Sequence, residues 1–210
     1  MEGNNKFIYI IIGLIFLIVA GVATAGFLFS DNVTVNAEMN GLNASIELIA
    51  FPFGGNSGEM KSEMEIYLFR QMNNVSSNAG SIKEGLENIA KEHGYKDITV
   101  NIRSQFGENA IPMKVRVEGI SMFPTLKNGE LVIIEKDTNA KVGDIIVARD
   151  PEYGLLIKRL GAVRGNQIFL ASDNKGIINT VVNGTPVTMM AVEKWTDASN
   201  IIGIAREFNV

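Results

Sequence analysis

Leu155-Leu156-Ile157-Lys158-Arg159-Leu160 decides how the C-terminal half of this chain folds. Extended, the run puts Leu156, Lys158 and Leu160 on one face and Ile157 and Arg159 on the other, because successive side chains of a strand alternate. A lysine flanked by leucines on one face is either an edge lysine whose amine snorkels to water or a buried amine, and periodicity leaves both open. Working outward, Met113 to Glu118, Leu131 to Glu135, Asp144 to Ala148, Gln167 to Ala171 and Val187 to Val192 are further short apolar runs punctuated by Gly, Asn, Asp and Pro. Several short strands at such spacing predict a β-sandwich or barrel-like domain from about Pro112 to the end.

Upstream the pattern changes. Near Phe106-Gly107-Glu108-Asn109-Ala110 helical periodicity gives way to alternation and turns, which divides the chain into residues 1–30, 31–110 and 111–210. The middle region reads as a small α+β unit. Val33 to Val35 and Ile46 to Phe51 are strand-like, and Met60, Met64, Tyr67, Leu68 and Met72 recur at helical spacing within Ser57 to Met72. That methionine-rich face is expected to be core. Ile82, Leu86, Ile89 and Ala90 predict a second helix, with His93 in its last turn and Gly94 as its C-cap.

From Phe7 to Phe29 there is no charged residue. About twenty apolar residues at 1.5 Å rise cross a hydrocarbon core of roughly 30 Å, so this stretch predicts an N-terminal transmembrane helix. Ala23-Thr24-Ala25 has the spacing of a signal-peptide cleavage site, whereas the run outlasts the roughly 7–15 apolar residues of a signal peptide, which favours a retained anchor. Lys6 and the terminal amine against Glu2 give a slight positive bias that places the N-terminus in the cytoplasm and the rest outside the cell membrane.

Composition excludes several chemistries. The 210 residues carry a net charge of -4, with no basic footprint for nucleic acid, and the absence of cysteine removes thiol chemistry and disulfides. The one histidine, His93, belongs to a helix end, so a hydrolytic serine here needs another base. Lysine serves if its amine is neutral, which requires its pKa to fall from about 10.4 to roughly 7–8, and burial supplies shifts of that size.

Gly119-Ile120-Ser121-Met122-Phe123-Pro124-Thr125, Lys141 to Val147, Ile157-Lys158-Arg159, Ser172-Asp173-Asn174 and Ile201 to Ala205 resemble the successive boxes of the type I signal peptidase family, in the family's order. The resemblance implies a mainly β catalytic domain of the signal peptidase and LexA-like fold and a membrane anchor. It also implies a serine endopeptidase that cleaves signal peptides of exported or secretory precursors after small residues in an Ala-x-Ala-like pattern. It matches Ser121 to the nucleophile and Lys158 to the general base, pairs Asp173 with Arg159, and gives the Ser121 N–H to the oxyanion. Ile120, Met122 and Pro124 would form the nucleophile turn and border the substrate. No metal or organic cofactor is implied. The expected partners are precursor proteins, the lipid bilayer and the secretion machinery.

The chain departs from that family at specific positions. Ser172 stands where a glycine is expected before Asp173, and Lys175-Gly176-Ile177-Ile178-Asn179-Thr180 lacks the acidic and serine residues of bacterial members, so the partner that orients Lys158 is not named. About ninety residues separate the span from Ser121. Two alternatives follow: a self-cleaving LexA-type protein, with Ala79-Gly80 as a candidate bond, and a non-catalytic anchored binding module.

Overall fold

The computed structural model describes residues 31–51, 57–176, 178–182, 185–189 and 191–210. The expected span therefore lies outside the described residues; among those described, no helix is long and apolar enough to cross a membrane.

The first unit is a four-stranded sheet with two helices on one face. β1 (Asn32–Met39) and β2 (Ala44–Phe51) form an antiparallel hairpin, and β3 (Asp97–Ser104) returns parallel to β1, with the two-residue β4 (Gly107–Glu108) on its far edge. Between them run α1 (Ser57–Met72) and α2 (Ala79–Glu92). Val33, Val35, Ala37 and Met39 of β1 all face the helices, and Met60, Met64, Leu68 and Met72 meet them with no exposed surface. The methionine stripe is thus core. Asn78 caps α2 reciprocally with Ser81, satisfying two donors that a helix start leaves orphaned. At the other end His93 itself is the C-cap and Gly94, at φ 92°, takes the left-handed position after it. The His93 Nε2 lies 3.0 Å from Glu63 Oε2 on α1, so the ring joins the two helices.

β3 was not anticipated as a strand. Its pattern is a plain alternation of buried Val100 and Ile102 with exposed polar residues. Its partner β1 lies 65 residues upstream, as Asn36 and Asn101 show by sharing a 2.9 Å side-chain hydrogen bond.

The second unit is one open seven-stranded antiparallel sheet, not two facing sheets. It comprises β5 (Pro112–Arg116), β6 (Leu131–Glu135), β7 (Ile145–Asp150), β8 (Gly154–Arg164), β9 (Gln167–Ala171), β12 (Lys194–Asp197) and β13 (Ile201–Phe208), in the order β12-β9-β8-β7-β13-β6-β5. Among the described residues, β10 (Ile178–Val182) and β11 (Thr185–Met189) pair only with each other. The mainly β expectation holds, and of the sandwich or barrel-like forms it allowed the sandwich is not the one formed: β8 and β13 are long, bulged strands, each paired on both edges, so the ladder continues where a sandwich would break.

Both faces of this sheet are covered at its centre. In β7, Ile145 and Val147 enter one apolar cluster with Val132, Ile134 and Met122, while Ile146 and Ala148 enter another with Leu160, Leu170 and Ile204. That is why β7 reads as a continuous apolar run. The units are latched by Lys136, whose Nζ donates to the carbonyls of Gln71 (3.2 Å) in the last turn of α1 and of Asn74 (2.6 Å) and Ser77 (3.4 Å) just beyond it. Val75 packs against the first cluster beside it.

Gly203 lets β13 sit between β6 and β7, since a methyl there would fall 2.4 Å from the Glu135 carbonyl oxygen. Gly203→Ala should lower unfolding free energy by about 1–3 kcal/mol, the usual cost of overpacking, measured by urea denaturation.

Candidate active site

The turn that carries Ser121 leaves β5 and re-enters β6. Gly119, at φ 83°, turns the chain, and its N–H donates to Asn128 Oδ1 at 2.8 Å. Met122 and Leu126, four residues apart and joined by a 2.9 Å main-chain hydrogen bond, are buried in the apolar cluster under the sheet. Ile120 before them and Phe123 between them stay exposed, and Pro124, exposed after a cis peptide bond, completes the turn. Two apolar plugs therefore hold the loop down while Ser121 rides half-buried on top. Neither its hydroxyl nor its N–H makes a hydrogen bond among the described residues.

Lys158 is 3 % exposed. Its stem lies among Leu156, Leu160 and the cross-strand neighbour Ile146, the apolar face that alternation assigns to it. Its amine donates to Ser172 Oγ at 2.9 Å, and no hydrogen bond to Ser121 is formed. Burial holds the pKa down at about 8; Glu193 opposes this and Lys175 adds to it. An ammonium has three protons to place, and one acceptor is a poor replacement for water.

Ser172 is 2 % exposed and its own proton goes to the Val192 carbonyl at 3.1 Å. A hydroxyl has one proton, so toward Lys158 it can act only as acceptor. The amine must then be the donor in that contact, and when neutral it keeps its lone pair free for another proton. Glu193 Oε1 accepts the Ser172 N–H at 2.8 Å and is ion-paired with Lys175.

Arg159 points the other way. Its Nε and Nη2 grip Asp173 Oδ1 and Oδ2 at 2.7 and 2.6 Å, and its Nη1 donates to the Gly143 carbonyl at 2.6 Å. The guanidinium holds the Asp173 carboxyl below the usual carboxylate range, helped by Thr125 Oγ1, which donates to Oδ2 at 2.5 Å. Asn174 donates from its main chain to the Ser121 carbonyl at 2.9 Å and from its side chain to the Ile120 carbonyl at 3.0 Å. The stretch 172–174 thus touches the lysine, the arginine and the serine turn in successive residues.

The structure brings Ser121, Lys158, Arg159 and Asp173 around that stretch. Met122 proves to be buried and serves as a turn anchor, leaving Ile120 and Pro124 on the exposed rim. Sequence reasoning missed Ser172 as the lysine's partner, although it had marked the residue as a departure from family pattern. It gave Thr125 and Asn174 no role, and nothing in the sequence pointed to Glu193, 21 residues from the N–H it accepts. Ala79-Gly80 lies inside the first turn of α2, under the Asn78 capping box. A bond wound into a helix is not in the extended form that lies along a strand edge, so this pair is not presented for cleavage.

A family model described as Peptidase S24-like matches residues 76–192, more than half of the chain. No curated protein matches it.

Lys158→Met should stabilise the protein at pH 7 by about 1–3 kcal/mol, since a lysine held near pKa 8 instead of its unfolded value of about 10.4 opposes folding while charged. Below about pH 8 both states are protonated and the cost is full; between about pH 8 and 10.4 only the unfolded chain keeps the proton, so the cost shrinks as pH rises. Denaturation of both proteins across that window should show the gain fading.

Proposed function

The chain belongs to the Peptidase S24-like family, which supports a serine peptidase, and beyond that we propose that it is a membrane-anchored Ser/Lys endopeptidase that cuts exported proteins after small residues. The observation that carries the reading is the Lys158 amine, almost fully buried and bound to a hydroxyl whose proton is committed elsewhere. Such an amine is neutral over a usable share of molecules near neutral pH and can accept a proton.

In the proposed cycle, neutral Lys158 takes the Ser121 hydroxyl proton as Oγ attacks the scissile carbonyl, and the Ser121 N–H, without a partner among the described residues, donates to the oxyanion. The Lys158 ammonium then gives its proton to the leaving amine, the peptide bond breaks, and an ester joins the substrate acyl group to Ser121. Water attacks the ester, Lys158 takes its proton and returns it to Ser121 as the carboxylic acid leaves. Ser121 and Lys158 need not be bonded beforehand, because catalytic hydrogen bonds commonly tighten only once substrate is bound. Arg159 and Asp173 fix the strand and the turn relative to each other.

Anchoring rests on the uncharged run from Phe7 to Phe29. With the N-terminus cytoplasmic, the catalytic unit faces outward, where signal peptides emerge beside the bilayer. Exposed Ile120, Phe123 and Val142 rim the site and suit apolar precursor segments. A second reading, self-processing, draws on the family match beginning at residue 76, upstream of the serine.

Detergent-solubilised protein should cleave an Ala-x-Ala precursor with a rate that rises through about pH 8, as deprotonation of Lys158 requires. Ser121→Ala and Lys158→Ala should each abolish cleavage, leaving at most about 10⁻³ of the rate; an uncut precursor with wild type overturns the reading. Intact-mass analysis separates self-processing: a Ser121-dependent cut in the enzyme's own chain, independent of concentration, favours it over action on a separate substrate.

A further inference from the structure

Glu193 lies one residue beyond the family-matched segment, in the stretch that leads into β12. Its Oε1 accepts the Ser172 N–H, and the carbonyl just before it, that of Val192, accepts the Ser172 hydroxyl proton. Two adjacent residues thus fix both the backbone and the side chain of the one group that, among the described residues, meets the Lys158 amine. The geometry points to Glu193 as a positioning residue for the lysine base, acting through Ser172, with Lys175 as its counter-charge. This assignment rests on the Ser/Lys reading above and deepens it.

Two effects belong to this carboxylate. As acceptor of the Ser172 N–H it sets where the hydroxyl sits, and therefore where the amine points. As an anion it favours the ammonium, while Lys175 favours the neutral amine; the pair balances the charge that Lys158 experiences. The other groups facing the amine are accounted for. β7 contributes apolar Ile146 across the ladder, and Leu156 and Leu160 flank the lysine on its own strand. Arg159 on its own strand and Asp173 after β9 neutralise each other. Glu193 is 31 % exposed at its side chain, so its charge remains partly in water and its influence is a modulation of the dominant burial effect.

Glutamine and alanine at position 193 divide the two effects. Glu193→Gln keeps an oxygen for the Ser172 N–H and removes the charge, leaving Lys175 uncompensated. Its activity should rise with pH about one unit earlier than wild type, with the alkaline plateau of kcat retained. Glu193→Ala loses the acceptor as well, and its plateau kcat should fall about tenfold at unchanged KM, the size of one lost hydrogen bond. A merely structural role would lower thermal stability in both variants and leave the pH limb of Glu193→Gln where it is.

The same titration can be read without turnover, by NMR of isotope-labelled lysine side chains in the full-length Ser121→Ala protein with and without Glu193→Gln. A Lys158 signal that titrates at lower pH in the double variant supports the assignment even if wild type cuts no precursor, a result that would remove the peptidase reading alone. A Lys158 titration that is unmoved overturns the role of Glu193 whatever wild type cleaves.

Discussion

The contact between the Lys158 amine and the Ser172 hydroxyl is the constraint on which the rest of the site depends. A strand lysine would ordinarily carry its charge to water. Here the leucines on its own face and Ile146 across the ladder remove the solvent, and Ser172 offers one acceptor in its place. Desolvation alone would only weaken the ammonium. The commitment of the Ser172 proton to Val192 adds direction, because it leaves the neutral amine's lone pair unused. The sheet order serves this arrangement. β8 lies between β7 and β9, so the lysine is deep in the ladder, yet it is close enough to the end of β9 to meet the residue that follows it.

Much of this was legible from residues alone, and what was not shares one cause. The methionine stripe of α1 and the apolar stripe of α2 are local patterns, and both helices follow them. The alternation around Lys158 named its face correctly, though alternation cannot say whether that face is covered; the cover comes from β7 and from the cluster around Leu170 and Ile204. The pairing of Arg159 with Asp173 came from family resemblance and is present as a bidentate grip. The strand β3 and the open sheet depend on partners far along the chain, which local periodicity does not encode. Glu193 is the extreme case. Its neighbours in sequence are unremarkable, and its importance lies in an N–H contributed by another strand end.

The nucleophile turn shows how a loop can be held without regular structure. Met122 and Leu126 fix it from below through apolar burial, and Thr125 and the Ser121 carbonyl fix it from the side through Asp173 and Asn174. Exposed Ile120 and Phe123 are what remains once those positions are occupied. A buried plug and a polar clasp act on different faces of the same few residues, so the serine is located in two directions at once.

The Lys136 latch between the units has a consequence for how they respond to their surroundings. Its amine is seated among three main-chain carbonyls and away from carboxylates, and burial lowers its pKa to about 8. Ionic strength loosens exposed pairs such as Lys96 with Asp31 or Arg103 with Glu108, whose charges stand in water. A cation enclosed by carbonyl dipoles has no mobile counterion to exchange, so brine that dissolves the surface pairs leaves the two halves joined. Alkali does not part them either: the seated amine gives up its proton more readily than one in water, so the cost of enclosing it fades above about pH 8.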